Sequence, residues 1–301
     1  MRTRRIVAIA VGAVAVLVST FVSVSVFTSQ PTPTALSVDN GAADFQSHEQ
    51  RNNAVPNPAT APTAPQATAP TAPQATAPTA PQAAAPRAGA PSGTGSGPEA
   101  ASKLGWQRIG GDEFTGGLGN WDRYDGPGHD GNGRRSPSAI TVQNGVLVIT
   151  GDSSGTTGGM ASKSSRKYGK WETRAKMPRG SSAYHPVIIL WPSQVAWPAG
   201  GEIDYAETDT NSGNINFFLH YGAANNQLSA TKSIDITQWH NYAVDWSPGR
   251  ITGYIDGVQW FSTTNPGVMP PGPMHQTIQL DLFGGSPGTA QLMVDWVRMY
   301  S

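Results

Sequence analysis

Three patterns of apolar and polar positions divide the 301-residue chain. Residues 6–27 carry no charge and are mostly Ala, Val and Ile, behind a start of Met-Arg-Thr-Arg-Arg. A helix of that length spans about 33 Å, enough for a hydrocarbon core of roughly 30 Å. The run is longer than the ~7–15 apolar residues of a secretory signal, and it ends without a clean small-residue cleavage site. Residues 1–27 are therefore expected to be a signal anchor or a signal peptide. In either case the arginines hold the N-terminus inside and send the rest out of the cytoplasm. Residues 28–103 show no apolar period. Their unit Ala-Pro-Thr-Ala-Pro-Gln-Ala-Thr occupies 61–68 and 69–76, then 77–84 with Ala at its end. Proline at this density removes donors and fixes φ, so the stretch reads as a disordered linker. From Leu104 onward, short apolar alternations are separated by Gly, Pro, Asn and Asp. They predict strands at 171–177, 187–190, 203–206, 215–220, 240–246, 251–255, 258–261, 277–283 and 291–300. Asn144-Gly145 and Asp256-Gly257 mark hairpin turns. No window of twelve or more residues has a convincing period of 3.6, so residues 104–301 are expected to form an all-β antiparallel sandwich or barrel.

Composition sharpens this division. All nine Trp and eight Tyr lie between Trp106 and Tyr300, whereas 13 of the 25 Pro lie between Pro31 and Pro98. The first third cannot bury a core, and the last 198 residues can bury about 70% of their unfolded surface. Lys+Arg and Asp+Glu number 20 each, so no global field draws nucleic acid. The chain has no Cys, which excludes thiol catalysis, thiolate-bound metal and disulfides.

The most informative local feature is Glu202-Ile203-Asp204-Tyr205-Ala206-Glu207. Carboxylates are poor strand formers and repel at this spacing, so three of them on an apolar strand are a conflict of the kind that marks function. Glu202 and Asp204 share a face on a regular strand, and Glu207, at an odd offset, points the other way. A one-residue β-bulge near Tyr205-Ala206 returns it. The two Glu then stand ~13 Å apart at Cα. Long side chains leaning together reach the ~5–5.5 Å carboxyl spacing of a retaining glycosidase. Two other readings remain at this point: a carboxylate site for Ca²⁺, and a solvated edge strand.

With Trp197-Pro198-Ala199-Gly200 before it, this run resembles the signature of glycoside hydrolase family 16, in its longer, laminarinase-like form. Three further stretches are similar to the family in order: Tyr168 to Gly180, Trp239 to Trp246 with Tyr254-Ile255-Asp256-Gly257, and Val294 to Tyr300. The resemblance implies a concanavalin A-like β-jelly roll and retaining endo-hydrolysis of a β-linked polysaccharide, foremost β-1,3- or β-1,3/1,4-glucan. It assigns Glu202 as nucleophile, Glu207 as acid/base and Asp204 as assisting carboxylate. A wall-remodelling transglycosylase would use the same residues, and a lectin-like module would keep only the cleft. Trp197 and Trp191 are candidate sugar platforms, and Trp121 in a Gly-rich loop is another cleft candidate. His220 resembles a cleft histidine of the family. Arg174 either reaches the cleft or pairs with Glu172. Two positions where many members carry aromatics are His185 and Ile189, and His185 with its neighbour Tyr184 is a candidate cleft contact. Gln279 and Asp281 stand near a common Asn. Asp295 resembles a position that helps bind structural calcium, and catalysis itself requires no cofactor. The expected partner is a polysaccharide, with the membrane added if the anchor is uncleaved, and the chain is expected to act as a monomer.

Overall fold

The structure, a computed structural model, describes residues 97–301. The expected signal segment and the linker up to residue 96 lie outside the described residues. Among the described residues no helix is long and apolar enough to cross a membrane. The described residues form one short α-helix, α1 (Ala100–Leu104), three single 3-10 turns and seventeen strands. The first seven strands are β1 (Arg108–Asp112), β2 (Trp121–Arg123), β3 (Gly126–Pro127), β4 (Arg134–Arg135), β5 (Ile140–Gln143), β6 (Val146–Gly151) and β7 (Thr156–Arg166). Next come β8 (Gly169–Lys176), β9 (Tyr184–Pro192), β10 (Glu202–Glu207), β11 (Asn214–Tyr221) and β12 (Asn226–Ser233). The last five are β13 (His240–Ser247), β14 (Arg250–Ile255), β15 (Val258–Thr263), β16 (Met274–Leu282) and β17 (Ala290–Tyr300).

The strands make two sheets. One has eight strands in the order β15-β14-β13-β8-β17-β6-β5, with β1 also on β17. The other has nine in the order β12-β11-β10-β9-β16-β7-β4-β3, with β2 also on β7. Apart from the parallel pair β4–β7, the pairings are antiparallel. This is the expected sandwich of the jelly-roll type. Both expected hairpin turns are present. Asn144 and Gly145 have φ of 54° and 82°, and Asp256 and Gly257 have 51° and 66°. Positive φ at both central residues gives the turn a twist that matches its strands.

The core lies between the sheets. Trp171, Tyr242, Val244 and Trp246 of the eight-stranded sheet meet Ile188, Leu190, Ile203, Phe217, Leu219, Ile278 and Leu280 of the nine-stranded sheet. Each such side chain contributes about 1.5–3 kcal/mol by leaving water. On β9 the alternation is strict: Ile188 and Leu190 enter this core, whereas Val187, Ile189 and Trp191 join Trp197 in a separate cluster on the sheet's outer face.

Two elements differ from expectation. Residues 97–103, assigned to the linker, are docked on the eight-stranded sheet. Asn241 Nδ2 donates to the Gly97 carbonyl at 2.8 Å, and the Ala100 and Ala101 amides donate to Glu172 at 2.6 and 3.1 Å. Trp106 follows, edge-on to Tyr254 with centroids 5.7 Å apart. Strand β7, with the sequence Thr-Thr-Gly-Gly-Met-Ala-Ser-Lys-Ser-Ser-Arg, has no apolar alternation and was not expected. Its glycines are there for space. A Cβ on Gly158 would sit 2.7 Å from the Ile140 side chain, and one on Gly159 2.7 Å from the Tyr124 ring.

Candidate active site

Strand β10 delivers the three carboxylates to one face. Along β9, Asp204 lies opposite Ile189 and Ala206 opposite Ile188, so Tyr205 is an extra residue. Along β11, Asp204 lies opposite Phe218 and Glu207 opposite Asn216, three steps against two. This is the bulge expected from the odd offset. Tyr205 and Ala206 both enter the core, and Glu207 returns to the outer face beside Glu202 and Asp204.

Each carboxylate has its own surroundings. Glu202 is 1% exposed, and its Oε2 accepts from the Trp197 indole Nε1 at 2.8 Å. Asp204 is equally buried, and its Oδ2 lies 3.5 Å from His220 Nε2. His220 Nδ1 meets Asn225 Oδ1 at 2.9 Å, which places the ring proton on Nδ1. Burial pushes the His220 pKa down to about 4, so at neutral pH the ring brings no charge to Asp204. Glu207 is the more open group, with its side chain 13% exposed and its Oε1 3.9 Å from His185 Nδ1. Burial also lowers His185 to about 4, against the pull of Asp209 and Asp281. Its ring stacks on Phe283 at 3.9 Å, and His129 lies 4.4 Å from the same ring.

The aromatic candidates divide. Trp191 and Trp197 lie nearly parallel on the outer face, with centroids 6.1 Å apart and planes at 11°. Gln279, between core residues Ile278 and Leu280, also faces outward. It pairs with Val187, which in turn pairs with Glu207. The other three binding candidates lie elsewhere and are corrected. Tyr184 points into the core, its hydroxyl donating to the Asp152 carbonyl at 2.6 Å. Trp121 packs in the same core, 6.1 Å from Phe114, and its Nε1 donates to Asp112 at 2.8 Å. Arg174 belongs to the other sheet, where its Nη1 bonds Asp295 Oδ2 at 2.5 Å and its guanidinium covers Trp239. Its partner is thus Asp295 and not Glu172. The same bond bears on calcium: Arg174 already engages Oδ2 of Asp295, the residue expected to help hold it. Glu202, Asp204 and His220 can bring one ligand atom each within 4.8 Å of one another, the geometry of a cation trap. However, one Glu202 oxygen is already engaged by Trp197.

Three neighbours of the site, Arg135, Phe283 and His129, were not singled out from sequence. Arg135 donates from Nε and Nη2 to Asp281 Oδ1 at 3.0 and 2.6 Å, both residues being 1% exposed, and Tyr124 covers the guanidinium. Phe283 and His129 form the stack beside Glu207. Of six His in the chain, 185, 220 and 275 are all outward on strands of the nine-stranded sheet.

Comparison with known proteins identifies the family. The family model "Glycosyl hydrolases family 16" matches residues 130–298, more than half of the chain. A beta-glucanase of Rhodothermus marinus is 28% identical over 169 residues, covering 46% of this chain and 59% of its own length. The endo-1,3-1,4-beta-glycanase EglC of Rhizobium meliloti is 29% identical over 191 residues, covering 55% and 40%. The chain thus spans about half the length of these curated relatives. Among solved structures, the laminarinase from Rhodothermus marinus superposes with a TM-score of 0.57 at 26% identity, over 65% of this chain and 97% of that one.

Proposed function

Because the chain belongs to glycosyl hydrolases family 16, we propose that it is a retaining endo-glycosidase that hydrolyses a β-linked polysaccharide, foremost β-1,3- or β-1,3/1,4-glucan. The bulged strand β10, which sets Glu202 and Glu207 on one face with Asp204 between them, carries this reading. Glu202 attacks the anomeric carbon while Glu207 gives its proton to the leaving glycosidic oxygen. The bond to the leaving sugar breaks as the glycosyl–Glu202 ester forms. Glu207, now a carboxylate, takes a proton from water, whose oxygen displaces Glu202 and restores the starting configuration. The burial of each group fits its role. Glu202 is enclosed and held by an indole N–H, as a positioned nucleophile must be. Glu207 is more open, as a group that exchanges protons with water must be. Trp197 and Trp191 offer flat apolar surfaces to the sugar C–H faces.

The two-carboxylate chemistry needs no cofactor. In this reading the domain works as a monomer outside the cytoplasm, carried there by the N-terminal apolar segment and either left tethered to the membrane or released. Glu202→Gln and Glu207→Gln test the assignment on laminarin, lichenan and agarose, with product lengths and anomeric configuration measured. Each substitution is expected to lower turnover by about 10²–10⁴-fold or more. If both variants keep full hydrolysis, the assignment fails. Products longer than the substrate would identify a transglycosylase, and binding without turnover a lectin-like module.

A further inference from the structure

We propose that Tyr205 is a positioning residue whose core hydroxyl fixes the bulge between Glu202 and Glu207, and with it the spacing of the two carboxylates. The inference rests on the roles proposed above for those two residues. Tyr205 is the extra residue of the bulge, and it points away from the site, fully buried between the sheets. Its Oη meets Thr173 Oγ1 at 2.8 Å and accepts from Gln276 Nε2 at 2.5 Å. Gln276 Nε2 also lies 3.5 Å from Thr173 Oγ1. Thr173 belongs to β8 of the opposite sheet, and Gln276 to β16, two strands from β10. One hydroxyl therefore ties the bulge to two other strands of the sandwich, β8 and β16.

Packing alone does not require this network, since a phenylalanine fills the same volume without a buried polar atom. What the hydroxyl adds is register. A bulge leaves its extra residue outside the ladder, so the strand can shift its two-for-one pairing along its length. A shift of one residue turns a side chain to the other face. Here loss of the bulge, or its migration beyond Glu207, would take Glu207 out of the site while Glu202 stayed. A phenol bonded across to the other sheet holds the extra residue at 205.

Next to Gln276 is a cavity of about 280 Å³, also lined by Asp112, Trp121, Val297 and Met299. The Gln276 amide thus has room to turn when its phenol partner is removed, so Tyr205→Phe is expected to fold. The expected result for Tyr205→Phe is a kcat about tenfold to hundredfold lower with KM within twofold, since misplacement of reacting groups costs rate more than binding. The limb of the kcat–pH profile that belongs to Glu207 should also move. Thr173→Val and Gln276→Met should lower kcat in the same direction. Tyr205→Phe combined with Thr173→Val should lose little more than Tyr205→Phe alone, because both cut the same tie. Unchanged kcat and pH profile in Tyr205→Phe, even with a lower Tm, would overturn the inference and leave Tyr205 a structural residue. If Tyr205→Phe does not fold, unchanged kcat in both Thr173→Val and Gln276→Met overturns it. These outcomes are separable from failure of the underlying reading, which would appear as full activity in Glu202→Gln and Glu207→Gln.

Discussion

Trp197 combines two jobs in one side chain, and substitution can separate them. Its ring stacks on Trp191, and its Nε1 donates to Glu202 Oε2. A hydrogen bond to a charged group contributes about 1.5–3 kcal/mol. Trp197→Phe keeps an aromatic face and deletes the donor. We expect kcat to fall about tenfold or more, with KM for long oligosaccharides changed much less, as steady-state kinetics on laminarin would read. An unchanged kcat would assign Trp197 to sugar stacking alone. The three carboxylates were legible in the sequence because charge on an apolar strand is costly and so conspicuous. The aromatic candidates were less so, since Trp and Tyr serve core and cleft equally well. One error was avoidable: Tyr184 and His185 are adjacent on β9 and cannot both face the cleft. Tyr184 shares the parity of Ile188 and Leu190, and it follows them into the core. The Arg174–Asp295 pair was illegible for another reason. It joins β8 to β17, and only the strand order brings residues 121 apart into contact.

At the scale of elements, the bulge was legible because an odd offset between two carboxylates has few remedies on a strand. Strand β7 was not, since its Gly and Ser residues are chosen for close approach and carry no alternation. The linker root was misassigned on the same principle. Residues 97–103 look like flexible chain, but their backbone supplies what the eight-stranded sheet lacks. Glu172 is fully buried, and the Ala100 and Ala101 amides are its hydrogen-bond donors. Arg298 adds an ion pair to Glu99 at 2.9 Å. A chain beginning at residue 104 would leave the Glu172 carboxylate without those two donors. We expect such a chain to lose about 3 kcal/mol or more relative to one beginning at residue 97. For a domain of this size that is a drop in Tm of roughly 10 °C, readable by calorimetry. The kinetic constants well below Tm should match, because the root docks on the sheet that does not carry the carboxylates. Equal Tm values for the two chains would make the root a passive tether.

At the scale of the whole molecule, the formal charge of zero hides opposed titrations. Burial lowers His185, His220 and His275 to about 4 from an ordinary 6.5. Their folded forms resist protons that the unfolded chain accepts, so their contribution is present above pH 6.5 and lost as pH falls toward 4. Glu172 works the other way. Burial raises it to about 7 from 4.5, outweighing the two amide donors, while Glu99 adds repulsion and Arg298 opposes it. Its contribution is fully present below pH 4.5 and is lost as pH rises through 7. Between these limits the folded protein holds one proton on Glu172 that the unfolded chain releases, and this offsets part of the histidine loss. Glu172→Gln removes that proton and leaves the histidines alone. Stability should then fall more steeply on acidification, by about 1.4 kcal/mol for each pH unit between 7 and 4.5 relative to the parent, the value of one proton. Any constant cost of the substitution cancels, because the comparison is of slopes. Denaturant unfolding of parent and variant at pH 5, 6 and 7 measures both slopes. Parallel profiles would mean that Glu172 titrates in its ordinary range, with the linker root holding a carboxylate already ionised at pH 5. Diverging profiles would place in this domain a buried acid, on the sheet opposite the three carboxylates of β10, that steadies the fold where its neutral histidines weaken it.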